Sequence, residues 1–329
     1  MRKKRSWPIA VVVCVKGAFM MNEVSDVVLP FYLTGEGATA PRIRGRIARL
    51  HHAQDAILSR HDYPDIVAGL CAETMALTSV LSSMMSFEGV FTVQAKGDGA
   101  VKTLMSDMTQ DGDMRCYAAF GDDEMLQSAY QGPALLPRLA GSGYMAFTVD
   151  HQVTKRRYQG IVELDGPHLG DAATAWYKNS EQLSTLVMTI AEKTAEGWVS
   201  SALLLQQIAI SGGKNDEDDL YKQPEELDAE SLDLWHTAMT LCSSVKTDEL
   251  LDKNLPLADL VYRLFNSLGP HIQPTRPITD KCRCSPQKVE VMLDGLSEEQ
   301  RASLADDNGQ LVVSCEFCKT DRTFDLTAL

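Results

Sequence analysis

No uninterrupted run of about eighteen apolar residues occurs in this 329-residue chain, so an ordinary membrane-spanning helix is not expected. Basic charge is also scarce. Thirty-one Lys and Arg face 45 Asp and Glu, a net charge of −14. That surplus repels phosphates and disfavours both broad nucleic-acid binding and docking on anionic lipid. It suits solubility and partners that are apolar or basic. Catalytic constellations are missing too: no Ser/His/Asp set and no paired carboxylates stand out, so no catalytic site is expected and the chain is read as a non-enzyme. Gly35–Ala40, "GEGATA", fits G-x-G-x-x-A, but strand-like "PRIRGR" follows it where a nucleotide site needs a helix. "SGGKN" around Lys214 lacks the phosphate-loop spacing. Gly141-Ser142-Gly143 is no nucleophile elbow, and His51-His52 has no partner cluster.

What remains is the ordinary material of a globular protein, with 44% hydrophobic residues and enough length for one large domain or two to three small ones. The first residues imitate a signal peptide, with Arg2–Arg5 as a basic region and Trp7–Val15 as a short apolar one. Lys16 interrupts the imitation and no A-x-A site follows. Residues 1–20 are therefore expected to be an extension or a mis-assigned start, with Met20 or Met21 as the true one. Cysteines are eight. Cys14, Cys71, Cys116 and Cys242 are scattered singly, which suits a reducing compartment; Cys71 and Cys242 fall in apolar helical patterns and are expected to be buried.

Residues 21–210 mix strand and helix signals. "DVVLPFYL", "RIRGRIARL", "GVFTVQAKG", "MRCYAAF", "GYMAFTVD", "RYQGIVEL", "TLVMTIAEK" and "GWVSSALLLQQIAI" have strand character, the last two joined by a turn at Glu196-Gly197. His51–Met85 is helical, divided at Pro64, and "LGDAATAWYKNSEQL" reads as one helix. The order is that of an α+β domain with large sheets. At Ser211 the composition shifts to "SGGKNDEDDL", a boundary signal. Residues 211–281 are expected to form a helical linker of marginal stability. One helix carries Leu227, Leu234, Trp235, Ala238, Leu241 and Cys242 on a face. The next carries Leu257, Leu260, Val261, Leu264, Phe265 and Leu268.

Residues 282–329 hold the remaining cysteines: Cys282-x-Cys284, thirty residues, then Cys315-x-x-Cys318. Two thiolate pairs on tight turns make a tetrahedral S4 shell, which favours Zn2+; core or disulfide cysteines are the alternative. Between the pairs lie a helix signal, "SPQKVEVMLDGLSEEQRASL", with Ser285 as N-cap and Pro286 at its start, and a strand, "GQLVVSCEFC". Most such modules are inert staples. A redox role is chemically open, because metal-bound sulfurs are thiolates, the form oxidants attack, and a pair closed into a disulfide no longer holds metal.

Cys282-Arg283-Cys284-Ser285 and "VSCEFC", with "RIRGRIARL", "AILSRHDYP", "VQAKGDG", "RYQGIVEL", "SEQLST" and "LLLQ" in the same order, resemble the bacterial redox-regulated heat-shock chaperone family, the thirty-three-kilodalton heat-shock protein. The likeness covers nearly all of 24–329. Ser200-Ser201-Ala202 replaces the paired glycines often found before "LLLQ", and the segment before Cys282 is atypical. The resemblance implies an ATP-independent holdase for unfolding proteins. One Zn2+ would be held by Cys282, Cys284, Cys315 and Cys318 in the inactive, reduced monomer. Oxidation would pair Cys282 with Cys284 and Cys315 with Cys318, free the metal, unfold the linker and yield an active homodimer. Trp235, Leu260, Leu264 and Phe265 are the candidate linker-docking and client-binding side chains. The C-x-C ring is the smaller and more strained, so Cys315–Cys318 is expected to close first. The expected location is the cytoplasm, with no nucleic acid or membrane as partner; the acidic charge of the cysteine-rich segment weighs against nucleic acid. The rival reading is a constitutive zinc-stapled interaction protein, or an enzyme with an unseen site.

Overall fold

A computed structural model describes residues 25–129, 135–181, 184–208, 229–306 and 308–325. The expectations for the N-terminal extension, Cys14, Lys214 and Leu227 lie outside the described residues. In chain order the elements are β1 (Val27–Leu33), β2 (Ile43–Leu50), α1 (His52–Leu58), α2 (Asp65–Ser82), β3 (Gly89–Gly97), β4 (Val101–Thr109) and β5 (Asp113–Phe120). Then come α3 (Asp123–Ala129), α4 (Leu135–Ala140), β6 (Gly143–His151), β7 (Arg157–Glu163), α5 (Leu169–Trp176), β8 (Thr185–Thr194) and β9 (Gly197–Gln207). Next follow α6 (Ala229–Cys242), α7 (Thr247–Leu251), α8 (Leu257–Phe265), β10 (Pro270–Ile272), β11 (Arg276–Pro277) and β12 (Thr279–Asp280). The C-terminal part holds α9 (Pro286–Asp294), α10 (Glu298–Leu304), β13 (Gln310–Ser314) and β14 (Asp321–Asp325).

The α+β expectation holds, and the sheets explain why the strand signals looked as they did. One sheet runs β10-β1-β2-β9-β8, with β11 also on β1; the second runs β12-β5-β4-β3-β6-β7. Helix α2 lies between them, with its apolar side chains buried on all sides (Val67, Leu70, Cys71, Met75, Leu77, Val80 and others). Its length and composition alone are enough to cross a membrane, but 78% of that window is buried inside the protein, as in a core helix. The first sheet is covered on both faces. Along β1, Val28 points to α2, while Val27, Leu29, Phe31 and Leu33 point the other way, into a second core built with α6, α7 and α8. β9 divides likewise: Ala202 and Leu204 to one side, Leu203 and Leu205 to the other. A strand buried on both faces reads as a continuous apolar run, which is how "SALLLQQ" looks in the sequence.

Several local expectations are corrected. "VKTLMSDMT" is strand β4, hidden by its polar residues; Ser106 and Asp107 are both buried. The helix read through "LGDAATAWYKNSEQL" ends at Trp176 and loosens into a π-turn over Tyr177–Glu181. "SPQKVEVMLDGLSEEQRASL" is two helices: α9 stops before Gly295, and Ser297 opens α10 by accepting from Gln300 N while the Gln300 side chain accepts from Ser297 N. The segment 211–281 is not wholly helical. Its end forms β10 and β11 on the first sheet and β12, parallel to β5, on the second. Gly112 permits that crossing, since a Cβ there would lie 2.1 Å from Pro277 O. Ser200 and Ser201, the departures from paired glycines, are satisfied internally: Ser201 Oγ donates to Ala48 O at 2.8 Å, and Ser200 bonds Gln54.

Two features hold α6–α8 on the first sheet. The Phe31 ring stacks on Phe265 with centroids 5.7 Å apart, and Phe31 lies so close over Gly45 that a Cβ there would sit 2.1 Å from the ring. Arg49 is the second. It is fully buried, and its guanidinium donates to Leu250 O (2.7 Å), Leu255 O (2.6 Å) and Glu249 O (3.0 Å), the carbonyls around the end of α7. Burial lowers its pKa to about 10, against the pull of Asp252. Replacing Phe265 by Ala is expected to weaken the seat of α8 by about 3–5 kcal/mol. Gly45→Ala, which touches no linker residue, should weaken it indirectly by about 1–3 kcal/mol through the displaced Phe31 ring. Limited proteolysis between 229 and 268 measures both; Gly45→Ala cutting at the parental rate would show that Phe31 is not the seat.

Candidate metal centre and the surfaces that face it

The C-terminal segment has little to fold around. Among the described residues after Cys282, the buried apolar side chains are Leu293 and Leu311. A core of that size does not stabilise a module of some forty residues, which in such cases requires a metal or disulfides. The chain instead brings four sulfurs together by local geometry. Cys282 and Cys284 follow β12 after Lys281, and Ser285 turns the chain into α9 by accepting from Lys288 N at 3.3 Å. Cys315 and Cys318 sit in the turn of the β13–β14 hairpin. That turn is closed by Lys319 N donating to Cys315 O (2.7 Å) and Cys315 N donating to Thr320 O (3.0 Å), with Lys319 in the left-handed region at φ 51°.

The four Sγ atoms lie within 4.8 Å of one another, half-buried and unbridged. Cys282 Sγ is 3.8 Å from Cys315 Sγ, and Cys284 Sγ is 3.5 Å from Cys318 Sγ. Zn–S bonds of about 2.3 Å in a tetrahedron place neighbouring sulfurs about 3.8 Å apart. The donor set therefore fits one tetrahedral ion that prefers sulfur. Its surroundings are cationic, as a cluster of thiolates needs. Arg322 Nη2 donates to Cys284 Sγ at 3.1 Å. Burial raises the Cys318 thiol, but hydrogen bonds with Thr320 (3.2 Å to Oγ1) outweigh it and bring it down to about 6. Burial and protons shared with Cys318, Cys282 and Cys315 push Cys284 up to about 12. The other cysteines are of another kind: Cys71, Cys116 and Cys242 are buried among apolar groups, and burial alone takes Cys242 to about 12.

The module rests on the second sheet through residues that the sequence did not single out. Asp107 on β4 is opposite Arg115 on β5 in the hairpin register, and Arg115 holds it from Nε (3.1 and 3.0 Å) and Nη2 (3.0 Å). Asp107 also takes Arg283 Nη2, from the residue between Cys282 and Cys284, at 2.7 Å. The Arg115 guanidinium lies 3.8 Å above the ring of Phe317, from the loop between Cys315 and Cys318. Burial works against the Arg115 charge, but Asp107 and the Cys282 sulfur outweigh it and keep its pKa above the ordinary value. His61, after α1, meets Phe317 O through Nε2 at 3.1 Å and stacks on Tyr63. Arg60–Asp280 (2.5 Å) and Lys281–Asp113 (2.9 Å) fix the chain just before the first pair. Had β4 been recognised in the sequence, hairpin register would have paired Asp107 with Arg115; nothing in the sequence marks the partners of Phe317.

The four linker residues singled out in the sequence fall together on the first sheet. Trp235, Leu260 and Phe265 are buried in its outer core, and Leu264 packs half-buried at the margin.

A family model described as Hsp33 protein matches residues 33–325. The chain is 32% identical over 282 residues to the 33 kDa chaperonin of Caulobacter vibrioides, covering 84% of this chain and 88% of that one. Against the 33 kDa chaperonin of Nitrosococcus oceani it is 30% identical over 285 residues, covering 86% and 88%. The crystal structure of the 33 kDa chaperonin (heat shock protein 33 homolog) of Thermotoga maritima has the same fold, with a TM-score of 0.71 at 16% identity over 91% of this chain and 95% of that one.

Metal removal provides the first test of this centre. Chelation under reducing conditions should raise hydrogen exchange at Leu293 and Leu311 to that of unstructured peptide while α2 stays protected. Retained protection at both leucines would mean that the metal is no staple. His61 adds a pH dependence. Burial lowers its pKa from 6.5, helped by Lys319 and Arg60 and opposed by the Phe317 carbonyl and Glu316. An undocked His61 therefore binds protons more readily than a docked one. Docking should be full above pH about 6.5 and weaken as pH falls through the window below it. Exchange at the amides of 279–283 should rise on acidification, and His61→Gln should flatten that slope; an equal slope in the variant would assign it to another group.

Proposed function

This chain belongs to the Hsp33 family, and from that premise we propose that it is an ATP-independent holdase chaperone switched on by oxidation. The observation that carries the proposal is the adjacency of two devices. Four sulfurs lie within 4.8 Å of one another at one end of a linker, and that linker seals a two-faced sheet with Trp235, Leu260 and Phe265. In this scheme residues 21–210 are the chaperone core, 211–281 the linker and 282–329 the switch, preceded by an extension over 1–20.

In the resting monomer Cys282, Cys284, Cys315 and Cys318 would hold one Zn2+, which when bound keeps all four sulfurs as thiolates at neutral pH. A thiolate attacks one oxygen of hydrogen peroxide. The O–O bond breaks, the departing hydroxide takes a proton and leaves as water, and the sulfur is left as a sulfenic acid. The second thiolate of the pair attacks that sulfur. The S–S bond forms, the S–O bond breaks, and a second water leaves with another proton. Each peroxide thus takes two electrons from one pair, and two peroxides oxidise all four cysteines. Sulfurs in disulfides no longer carry the charge that retains a metal.

We assign the pairs as Cys282–Cys284 and Cys315–Cys318. Two sulfur contacts at rest, Cys282–Cys315 and Cys284–Cys318, run between the pairs, so the turns must reshape for this pairing. The C-x-x-C ring is the less strained and closes first. Loss of the module's fold withdraws support from the end of the linker, and α6–α8 leave the first sheet. The apolar face of that sheet and the linker stripes then serve unfolding client proteins, with the acidic surface keeping the complex in solution. The active form is a homodimer. A switch resting on reduced thiols belongs in a reducing compartment, and we place the protein in the cytoplasm.

The test is peroxide with mild heat on the reduced, zinc-loaded chain. Zinc release to a colorimetric chelator, suppression of aggregation of a heat-labile client, and thiol-trapping mass spectrometry are followed together. Release and suppression should rise together, with Cys315–Cys318 closed before Cys282–Cys284. Zinc release without any effect on client aggregation would leave a constitutive zinc-stapled protein as the answer, and cross-linked Cys282–Cys315 would overturn the pairing.

A further inference from the structure

A residue inside each cysteine pair touches the same place on the core. Arg283, between Cys282 and Cys284, reaches Asp107 at 2.7 Å; Phe317, between Cys315 and Cys318, lies 3.8 Å beneath the Arg115 guanidinium. Asp107 and Arg115 are themselves locked together by three hydrogen bonds across the β4–β5 hairpin. Asp107 is 1% exposed, so its carboxylate has these two guanidiniums in place of solvent. Both cysteine turns are thus moored to one buried ion pair that belongs to neither.

We infer that Asp107 and Arg115 form a latch that holds the C-x-C turn in its metal-binding shape and gives way only after the C-x-x-C turn has moved. This deepens the redox reading above and rests on it for its consequence, though the latch itself is independent of oxidation.

Closing Cys282–Cys284 requires two sulfurs that lie within 4.8 Å of each other to approach to about 2.05 Å across a single intervening residue. The backbone at Arg283 must re-form to allow that, and it cannot while the guanidinium is anchored at Asp107. The C-x-x-C turn has no ionic anchor of this kind; the hydrogen bond between His61 Nε2 and Phe317 O and the Phe317 ring on Arg115 hold it. Phe317 offers Arg115 only a ring face, and that contact can slide or part without stranding a buried charge. When Cys315 and Cys318 give two electrons to a peroxide and join, the turn reshapes and withdraws the ring. Arg115 then loses its cover and admits water to Asp107. A hydrated Asp107 holds Arg283 far less tightly, because an ion pair weakens steeply as its surroundings become polar. Arg283 lets go, and the second pair can close with a second peroxide. Arg115 and Asp107 are positioning residues in this account: they transfer neither electrons nor protons.

The latch predicts a change that needs no oxidant. Under reducing conditions at 25 °C, zinc transfer from the full chain to an excess of chelator should be about tenfold faster in Arg283→Gln and in Arg115→Gln than in the parent, the factor that about 1.4 kcal/mol of lost mooring produces. Arg115→Lys keeps the charge but loses the flat face and the forked hydrogen bonds, so it should fall between. Arg283→Gln lies on the module and leaves the β4–β5 ion pair intact, which separates loss of the latch from damage to the core. Transfer rates within twofold of the parent in both glutamine variants would overturn the latch. A second arm adds peroxide without heat and traps thiols. Arg283→Gln should then close both pairs together while the parent closes only Cys315–Cys318. Faster transfer with the parental order of closure would overturn the role in ordering. Faster transfer in variants of a parent that keeps its zinc under peroxide supports the latch and overturns the redox switch instead.

Discussion

Four thiolates cannot share a space 4.8 Å across without positive charge among them. Two unit charges 3.8 Å apart repel by about 4 kcal/mol at the effective dielectric constant of a protein surface. Arg322 and Arg115 supply part of the compensation, and a divalent cation held by the four sulfurs would supply the rest. Everything after Cys282 depends on that balance, because Leu293 and Leu311 are too small a core to fold the segment alone. The dependence extends backward along the chain. β12 ends at Asp280, and Cys282 follows after a single residue, so the module and the strand that completes the second sheet cannot move independently. Two residues before β12 the chain still pairs with β1 of the first sheet through β11. The segment from Pro270 to Cys282 is therefore a strap across both sheets, pinned at one end by sulfur.

The linker helices rest on that first sheet with interactions of two kinds, which respond differently to release. The apolar contacts of Trp235, Leu260 and Phe265 lose free energy in proportion to the area returned to water, at roughly 25 cal/mol per Å². Arg49 behaves otherwise. Its donors are satisfied by the carbonyls of Glu249, Leu250 and Leu255. If the helices left, the face that received water would be the one the guanidinium already points to, so its hydrogen bonds would pass to solvent and no charge would be stranded. A buried arginine would penalise opening only if it remained buried afterwards. Arg49 thus fixes where the linker sits, and would not greatly resist the departure that the proposed switch requires.

Much of this was legible in the sequence because the strands of the first sheet carry apolar residues on both faces and α2 is apolar all round. The four-cysteine spacing was legible for a simpler reason: metal geometry is set within a few residues. What escaped notice was whatever depends on register. β4 alternates poorly because polar Ser106 and Asp107, on opposite faces of the strand, are both buried, so the segment shows no clear apolar-polar period. With β4 missing, Arg115 had no visible partner. β10, β11 and β12 are two or three residues each and exist only because a neighbouring edge pairs with them. The break between α9 and α10 was readable in principle, since Ser297 and Gln300 form a capping box after Gly295, but the continuous apolar spacing masked it.

Arg283 shows how one position can carry two constraints at once. As a spacer it makes the C-x-C ring small, and a ring of that size resists closing into a disulfide by covalent geometry alone. As an ion-pair partner it is tied to Asp107, outside the module, and so resists by non-covalent anchoring as well. The two resistances differ in what can remove them. Ring strain is intrinsic and is the same in an isolated peptide. The anchor exists only while the second sheet is folded and the module is docked on it. A thiol pair protected by strain alone would report on the oxidant; one protected also by a folded neighbour reports on the oxidant and on that neighbour's integrity together. Arg60–Asp280, Lys281–Asp113 and His61–Phe317 lie along the same seam, so the state of the core reaches the sulfurs through several contacts and not through Arg283 alone. Under the proposed redox switch, stress that loosens the core would by the same contacts lower the threshold at which the second pair closes.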